Sequence, residues 1–235
     1  MKKTTATLAT CAALSSLGEE PIRILCIGDS ITQGGKTERQ EYTYRWPLFC
    51  MLKDAGVNFD FIGTRQAGLH ADATWPDYNG EAFDLHHEGY YGAKTAAVRD
   101  ALKEHLPVLD APDIALIHLG TNDQKSEDYT ATILEPLTDM IAQLRAKNSN
   151  IRICVGHLNF NDGSALDIRP LVEAMAERLT TEASPVVTVH HYRNWNEKPT
   201  EENPDTFDWA HPNLSGQKKM AKAWLDAMRP WMEME

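Results

Sequence analysis

Three short stretches of the chain carry side chains that would work together if folding brought them side by side. Gly28-Asp29-Ser30 supplies a hydroxyl, Gly120-Thr121-Asn122-Asp123 a carboxamide, and Asp208-Trp209-Ala210-His211 a carboxylate three residues ahead of an imidazole. A serine hydroxyl is a poor nucleophile until a base takes its proton, and an imidazole serves as that base only when its other nitrogen is held in the right tautomer. One loop carrying both Asp208 and His211 can supply base and orienter together. An asparagine amide can donate a hydrogen bond where negative charge develops in a polar pocket. Singly, each stretch has a plainer reading: a serine at a strand end, a turn asparagine, a chance Asp-x-x-His. Three such signals at three strand-to-helix edges reinforce one another.

The Gly-rich loop after Ser30 offers a competing chemistry. Gly34-Gly35-Lys36-Thr37 resembles the tail of a phosphate-binding loop, in which backbone N–H groups wrap the phosphates and a lysine neutralises them. Counting back from Gly35-Lys36-Thr37, however, puts Ser30 where that motif needs its first glycine. The G-x-S-x-G elbow fails too, because Thr32 replaces its second glycine. The serine reading is preferred, and nucleotide binding is the weakest alternative.

Strand-like and helix-like patterns alternate along the chain, as expected for a parallel sheet covered on both faces. Strands are predicted over 23–27, 59–63, 113–119, 151–155 and 186–189, and helices over 46–56, 93–106, 129–147, 167–182 and 214–228. The helix over 129–147 is expected to bend or to begin late at Pro136. Residues 64–91 break the rhythm with a polar, aromatic segment too irregular for a regular element. In a sheet of this kind the ends of the strands before Ser30 and Asn122 share the edge where ligands bind.

With 235 residues, 42% hydrophobic and 24% charged, the chain fits one domain, read as 21–235 after a leader over 1–20. Met1-Lys2-Lys3 and the following Thr- and Ala-rich stretch have the outline of a signal peptide, so export is expected, with a cytoplasmic location as the alternative. A net charge of −11 disfavours nucleic acid or an anionic membrane as partner, and no apolar run is long enough for a membrane span. Cys11, Cys26, Cys50 and Cys154 show no zinc spacing, and Cys26 and Cys154 read as small buried hydrophobes. His118 reads as a core histidine and His157 as either structural or pocket-lining, while His86, His87, His190 and His191 carry no ligand spacing. Trp75, Tyr78, Tyr90 and Tyr91 either stack on a sugar ring or pack the long loop.

Gly28-Asp29-Ser30, a glycine in Gly89-Tyr90-Tyr91-Gly92, Gly120-x-Asn122-Asp123 and Asp208-x-x-His211 occur in the order of the four blocks of the SGNH, or GDSL, hydrolases, which this chain resembles from residue 23 to about 225. The resemblance implies a three-layer α/β/α sandwich around a mostly parallel, flavodoxin-like five-stranded sheet. It implies Ser30, Asp208 and His211 as catalytic residues, and the Ser30 and Gly92 N–H groups with the Asn122 amide as oxyanion hole. Asp29 and Asp123 are expected to brace loops. Asp29, Tyr91, His157 and Trp209 are carried as candidate substrate contacts, with no metal and no cofactor required. The stretches 42–48, 60–64 and His87-Glu88-Gly89 are similar to the branch that removes acetyl groups from xylan-type carbohydrate, with 66–86 longer and more acidic than expected there. The implied substrate is therefore an acetylated carbohydrate. The alternatives are a lipid-directed esterase, thioesterase or lysophospholipase of the same family, and a non-catalytic carbohydrate-binding protein.

Overall fold

A computed structural model describes residues 20–232. The expected leader and Cys11 lie outside the described residues, Glu20 apart. In chain order the elements are β1 (Ile22–Gly28), α1 (Ser30–Gln33), α2 (Arg45–Asp54), β2 (Phe59–Ile62), β3 (Glu88–Gly89), α3 (Thr95–His105), β4 (Ile114–His118), α4 (Glu135–Lys147), β5 (Arg152–Gly156), α5 (Ser164–Leu179), β6 (Val186–Val189) and α6 (Leu214–Met228). Five strands lie in the order β2-β1-β4-β5-β6, all parallel. This is the flavodoxin-like order, with its switch point between β1 and β4.

Alternation along the strands splits the core in two. Leu25, Ile27, Ala115, Ile117, Ile153 and Val155 face one way and pack on α3, α4 and α5, through side chains such as Leu102, Met140 and Val172. Ile24, Cys26, Ile114, Leu116 and Cys154 face the other way, onto α2 and α6, through Leu48, Leu52, Met220 and Trp224. Central strands buried on both faces need apolar residues at nearly every position, which is why β4 is apolar from Ile114 to Ile117 before it ends at His118. Cys26 and Cys154 are fully buried free thiols, as read from the sequence. No helix among the described residues is long and apolar enough to cross a membrane.

Two details differ from the sequence reading, and the late entry of the fourth helix at Pro136 is as expected. The sheet has a sixth strand: β3, inside the stretch read as irregular, pairs Glu88 and Gly89 with Ile27 and Gly28. It forms because Glu88 is buried and accepts hydrogen bonds from the Thr64 backbone (2.6 Å), the Thr64 hydroxyl (2.7 Å) and the Tyr90 hydroxyl. The predicted helix over 129–147 is a π-helical turn (Thr130–Leu134) followed by α4, whose second residue, Pro136, has no N–H to give that turn. Helix α5 runs three residues ahead of the predicted 167–182 at both ends. The chain leaves it at Thr180, whose hydroxyl pairs with both backbone groups of Val186 at 2.8 Å.

Candidate active site

Strand β1 hands the chain to Asp29, whose carboxylate accepts the Ile31 N–H at 3.0 Å and so caps α1, the short helix that opens with Ser30. The far end of α1 is held by Arg45. Fully buried, this guanidinium donates to the carbonyls of Thr32 (2.8 Å), Leu85 (3.0 Å) and Gln33 (3.2 Å). Thus the Tyr-Thr-Tyr-Arg stretch noticed in the sequence braces the serine-bearing turn from below.

Ser30 Oγ lies 2.9 Å from His211 Nε2, and His211 Nδ1 lies 2.9 and 3.0 Å from the two oxygens of Asp208. The Asp-x-x-His spacing produces this contact because the Asp208 carboxylate folds back over its own loop, accepting the N–H groups of Ala210 and His211, both at 2.9 Å. That loop is closed by Phe207 N–H to His211 carbonyl (2.8 Å) and anchored by Asn213, which caps α6 through Ser215 and Gly216. Burial works to raise the Asp208 pKa. The His211 and Ala210 N–H groups, with Arg39, outweigh it and hold this carboxyl well below the usual carboxylate range, so Asp208 is an anion throughout the working pH range.

Arg39 had no place in the sequence reading. Its guanidinium spans Asp208 (Nη1 to Oδ2, 2.7 Å) and the buried Glu41 (Nη2 to Oε1, 2.7 Å) while lying over the Phe207 ring at 5.0 Å. Glu41 in turn accepts the Lys36 N–H at 3.2 Å, and its carbonyl accepts the Gly35 N–H at 2.8 Å. The segment that mimics a phosphate loop therefore builds a turn that delivers Arg39 to the acid of the site. The one sequence signal was a cation and an anion two residues apart beside a Gly-Gly turn. Its target, Asp208, is 169 positions away.

Between the two glycines of the Gly-Tyr-Tyr-Gly block, geometry separates the roles. A Cβ at Gly89 would lie 2.6 Å from the Gln33 backbone nitrogen, so Gly89 is required by close packing of β3 on α1. Its N–H is taken by His87 Nδ1 at 2.8 Å, and those of Tyr90 and Tyr91 go to the Gly28 carbonyl (3.0 Å) and Gln33 Oε1 (2.7 Å). Gly92 has a left-handed φ of 74° in open space, and among the described residues its N–H has no partner. The Asn122 amide donates to the Ala93 carbonyl at 2.9 Å and to Asp29 Oδ2 at 3.4 Å. The second bond is long enough to yield to a better acceptor. Asp123 accepts the Thr95 N–H (3.0 Å) and hydroxyl (2.8 Å) at the start of α3.

Of the four candidate substrate contacts, two are placed where a substrate cannot reach. Asp29 is fully buried, and burial pushes its carboxyl up to about 7, with the Ile31 N–H offsetting part of the rise. His157 is also buried, its ring lying against His190 and Tyr192. Burial first, then the positive potential of His190 and Arg169, pushes it down to about 3, so it is a neutral imidazole. Tyr91 lies face-on to His211 at 5.4 Å and 16°, walling the imidazole. Trp209 is 60% exposed, backed by Phe160 at 6.1 Å and 17°, and borders an open depression of about 580 Å³ with Thr121, Asn122, Gln124 and Lys125. The loop aromatics pack locally: Trp75 on Phe83 with its indole N–H on the Tyr42 carbonyl (2.8 Å), Tyr78 on Asp54 (2.6 Å), Tyr90 on Glu88.

Fold and site together describe a flavodoxin-like α/β protein with a serine–histidine–aspartate chain of hydrogen bonds at the carboxyl edge of its sheet. Residues 26–219 match the GDSL-like lipase/acylhydrolase family, and the chain belongs to that family. It is 25% identical over 241 residues to a multidomain esterase of Ruminococcus flavefaciens, an alignment that takes in 90% of this chain and spans only 29% of the relative's length. Among solved structures it resembles a carbohydrate esterase family 3 protein from Talaromyces cellulolyticus (TM-score 0.73, 22% identity, 89% of this chain and 97% of that one). It also resembles a family 3 carbohydrate esterase from Clostridium thermocellum (TM-score 0.69, 21% identity, 90% and 97%). At such identities the likeness establishes the fold.

Proposed function

We propose that the protein is a serine esterase that removes O-acetyl groups from carbohydrate. The observation that carries this reading is the unbroken chain Ser30–His211–Asp208–Arg39, every link between 2.7 and 3.0 Å. His211 takes the proton of Ser30 as its oxygen attacks the ester carbonyl. Asp208, kept ionised, holds the Nδ1–H tautomer and stabilises the imidazolium. The Ser30 and Gly92 N–H groups and the Asn122 amide receive the oxyanion, the amide exchanging its long bond to Asp29 for the stronger acceptor. His211 then gives that proton to the departing sugar oxygen, which leaves as a hydroxyl, and a water molecule, deprotonated by His211, attacks the acetyl-enzyme and releases acetate.

Support for a carbohydrate comes from the surroundings of the serine. Trp209 presents an open indole face next to Asn122, the kind of surface on which a sugar ring stacks. On the other side, Arg39 borders a depression of about 470 Å³ shared with Lys36, Glu41, Tyr42, Asp72 and Trp75. Neither opening is the apolar channel that a long acyl chain needs. The Talaromyces and Clostridium proteins, both family 3 carbohydrate esterases, point the same way.

The test is acetate release from acetylated xylan and acetylated monosaccharides, run beside p-nitrophenyl acetate and octanoate. Release from the sugars with preference for the acetyl ester is expected. Trp209→Ala is expected to raise KM on the sugar esters by about tenfold, the loss of one stacking contact, while leaving p-nitrophenyl acetate nearly unchanged. A preference for octanoate would overturn the acetyl reading in favour of a lipid-directed esterase. Absence of turnover on every ester would favour a carbohydrate-binding protein. Asn122→Ala is expected to lower kcat by about 10²- to 10³-fold with little change in KM, because an oxyanion donor acts mainly in the transition state. Full turnover in that variant would remove Asn122 from the oxyanion hole.

A further inference from the structure

At the same edge of the sheet, but sharing no residue with the Ser30 site, three lone-pair donors converge. His157 follows β5, His190 follows β6, and Glu173 projects from α5, so no spacing in the sequence betrays them. One donor atom from each lies within 4.8 Å of the other two, and His157 Nε2 stands 3.4 Å from Glu173 Oε1. The His157 side chain is 1% exposed, and neither ring nitrogen has a hydrogen-bond partner among the described residues. A buried polar atom left in that state costs about 1–3 kcal/mol unless something satisfies it. The Tyr192 hydroxyl, 3.2 Å from His190 Nδ1, helps to fix that ring's orientation.

We propose that His157, Glu173 and His190 bind a divalent transition metal of the zinc class, pinning the ends of β5 and β6 to α5. Two imidazoles and one carboxylate are a donor set that suits Zn²⁺, whereas Mg²⁺ and Ca²⁺ require oxygen ligands. Glu173 is half-exposed, so the ion enters from solvent on its side and a water completes a four-coordinate shell. Arg169 and Arg193 place positive potential near the rings and oppose the cation. Arg169 stays engaged over the Tyr192 ring at 3.4 Å and on the Phe160 carbonyl. Their opposition makes the site weaker than the same three donors would be without them. The role is structural, since the metal touches none of Ser30, His211 or Asp208.

The experiment uses the full chain without a histidine tag, stripped with chelator and titrated with ZnCl₂ by calorimetry, with thermal melting alongside. One Zn²⁺ per chain and a Tm that climbs with zinc concentration are expected, with no response to Mg²⁺ or Ca²⁺. Glu173→Gln and His190→Gln are each expected to weaken binding by about tenfold or more while leaving p-nitrophenyl acetate turnover in chelator unchanged. Glu173→Gln is the safer variant for folding because its side chain is half-exposed. Absence of stoichiometric binding would overturn the proposal. So would binding of undiminished affinity in both variants, which would send the ion elsewhere, to His211 and Asp208 among other places.

Discussion

Ser30→Ala and His211→Ala will each lower kcat/KM on p-nitrophenyl acetate by about 10⁵- to 10⁶-fold, and the double variant will be no slower than either single one. The expectation follows from the contact of 2.9 Å between Ser30 Oγ and His211 Nε2. A hydroxyl without its base is scarcely more reactive than water, and a base without its hydroxyl has nothing to activate, so removing the second partner removes nothing further. The variants are informative because the fold does not rest on these side chains. Asp29 caps α1 through Ile31, Arg45 holds its carbonyls, and the Asp208 loop is closed by its own backbone N–H groups. Unchanged melting temperatures are therefore expected, measured by circular dichroism beside the kinetics. Losses that multiply in the double variant would mean that the two residues act separately, and the triad assignment would fail.

How far the sequence revealed this site depended on whether each residue's role is local. Asp208 and His211 were legible because a carboxylate three residues ahead of a histidine can close a loop on itself, and it does so through the Ala210 and His211 N–H groups. Helix α6 was legible to the residue, since Asn213 is a strong cap and the apolar positions from Met220 to Met228 keep helical spacing. Arg39 was not, because its meaning lies in a contact across 169 positions, and an arginine in a polar loop looks like any solvated charge. Strand β3 was hidden for a related reason. Two residues carry no periodicity, and the strand exists only because buried Glu88 collects donors from Thr64 and Tyr90. The phosphate-loop mimic shows the reverse error, where a local pattern carries a familiar outline but the surrounding turn serves Glu41 and Arg39 instead.

Acidification will destabilise the protein through its buried histidines, His87, His118, His157 and His191, each held below its ordinary pKa first by burial, and the share of His118 can be isolated. His118 closes β4 with 0% exposure, and neither ring nitrogen makes a well-formed hydrogen bond. Burial pushes it down from 6.5 to about 4, and the nearby Asn159 amide and His157 backbone offset only part of that. Above pH 6.5 the imidazole is neutral in both folded and unfolded chains, so it contributes no pH dependence there. Between 6.5 and about 4 only the unfolded chain takes up this proton, so the stability that His118 contributes falls as the pH falls, and its contribution levels off below about 4 where both states are protonated. At about 1.4 kcal/mol per pH unit the loss from this residue is about 3 kcal/mol, a large share of a typical domain's stability. His191, whose ring lies 5.5 Å away, and the Gly156 backbone leave no room for the imidazolium to find water. Urea unfolding at pH 7, 5.5 and 4 in the presence of chelator measures the slope, and His118→Leu supplies the reference. The wild-type protein is expected to lose about 3 kcal/mol more than the variant over that interval, because leucine fills the space without a proton to gain. A loss in the wild type no larger than that in the variant would mean that His118 is not among the acid-sensitive groups.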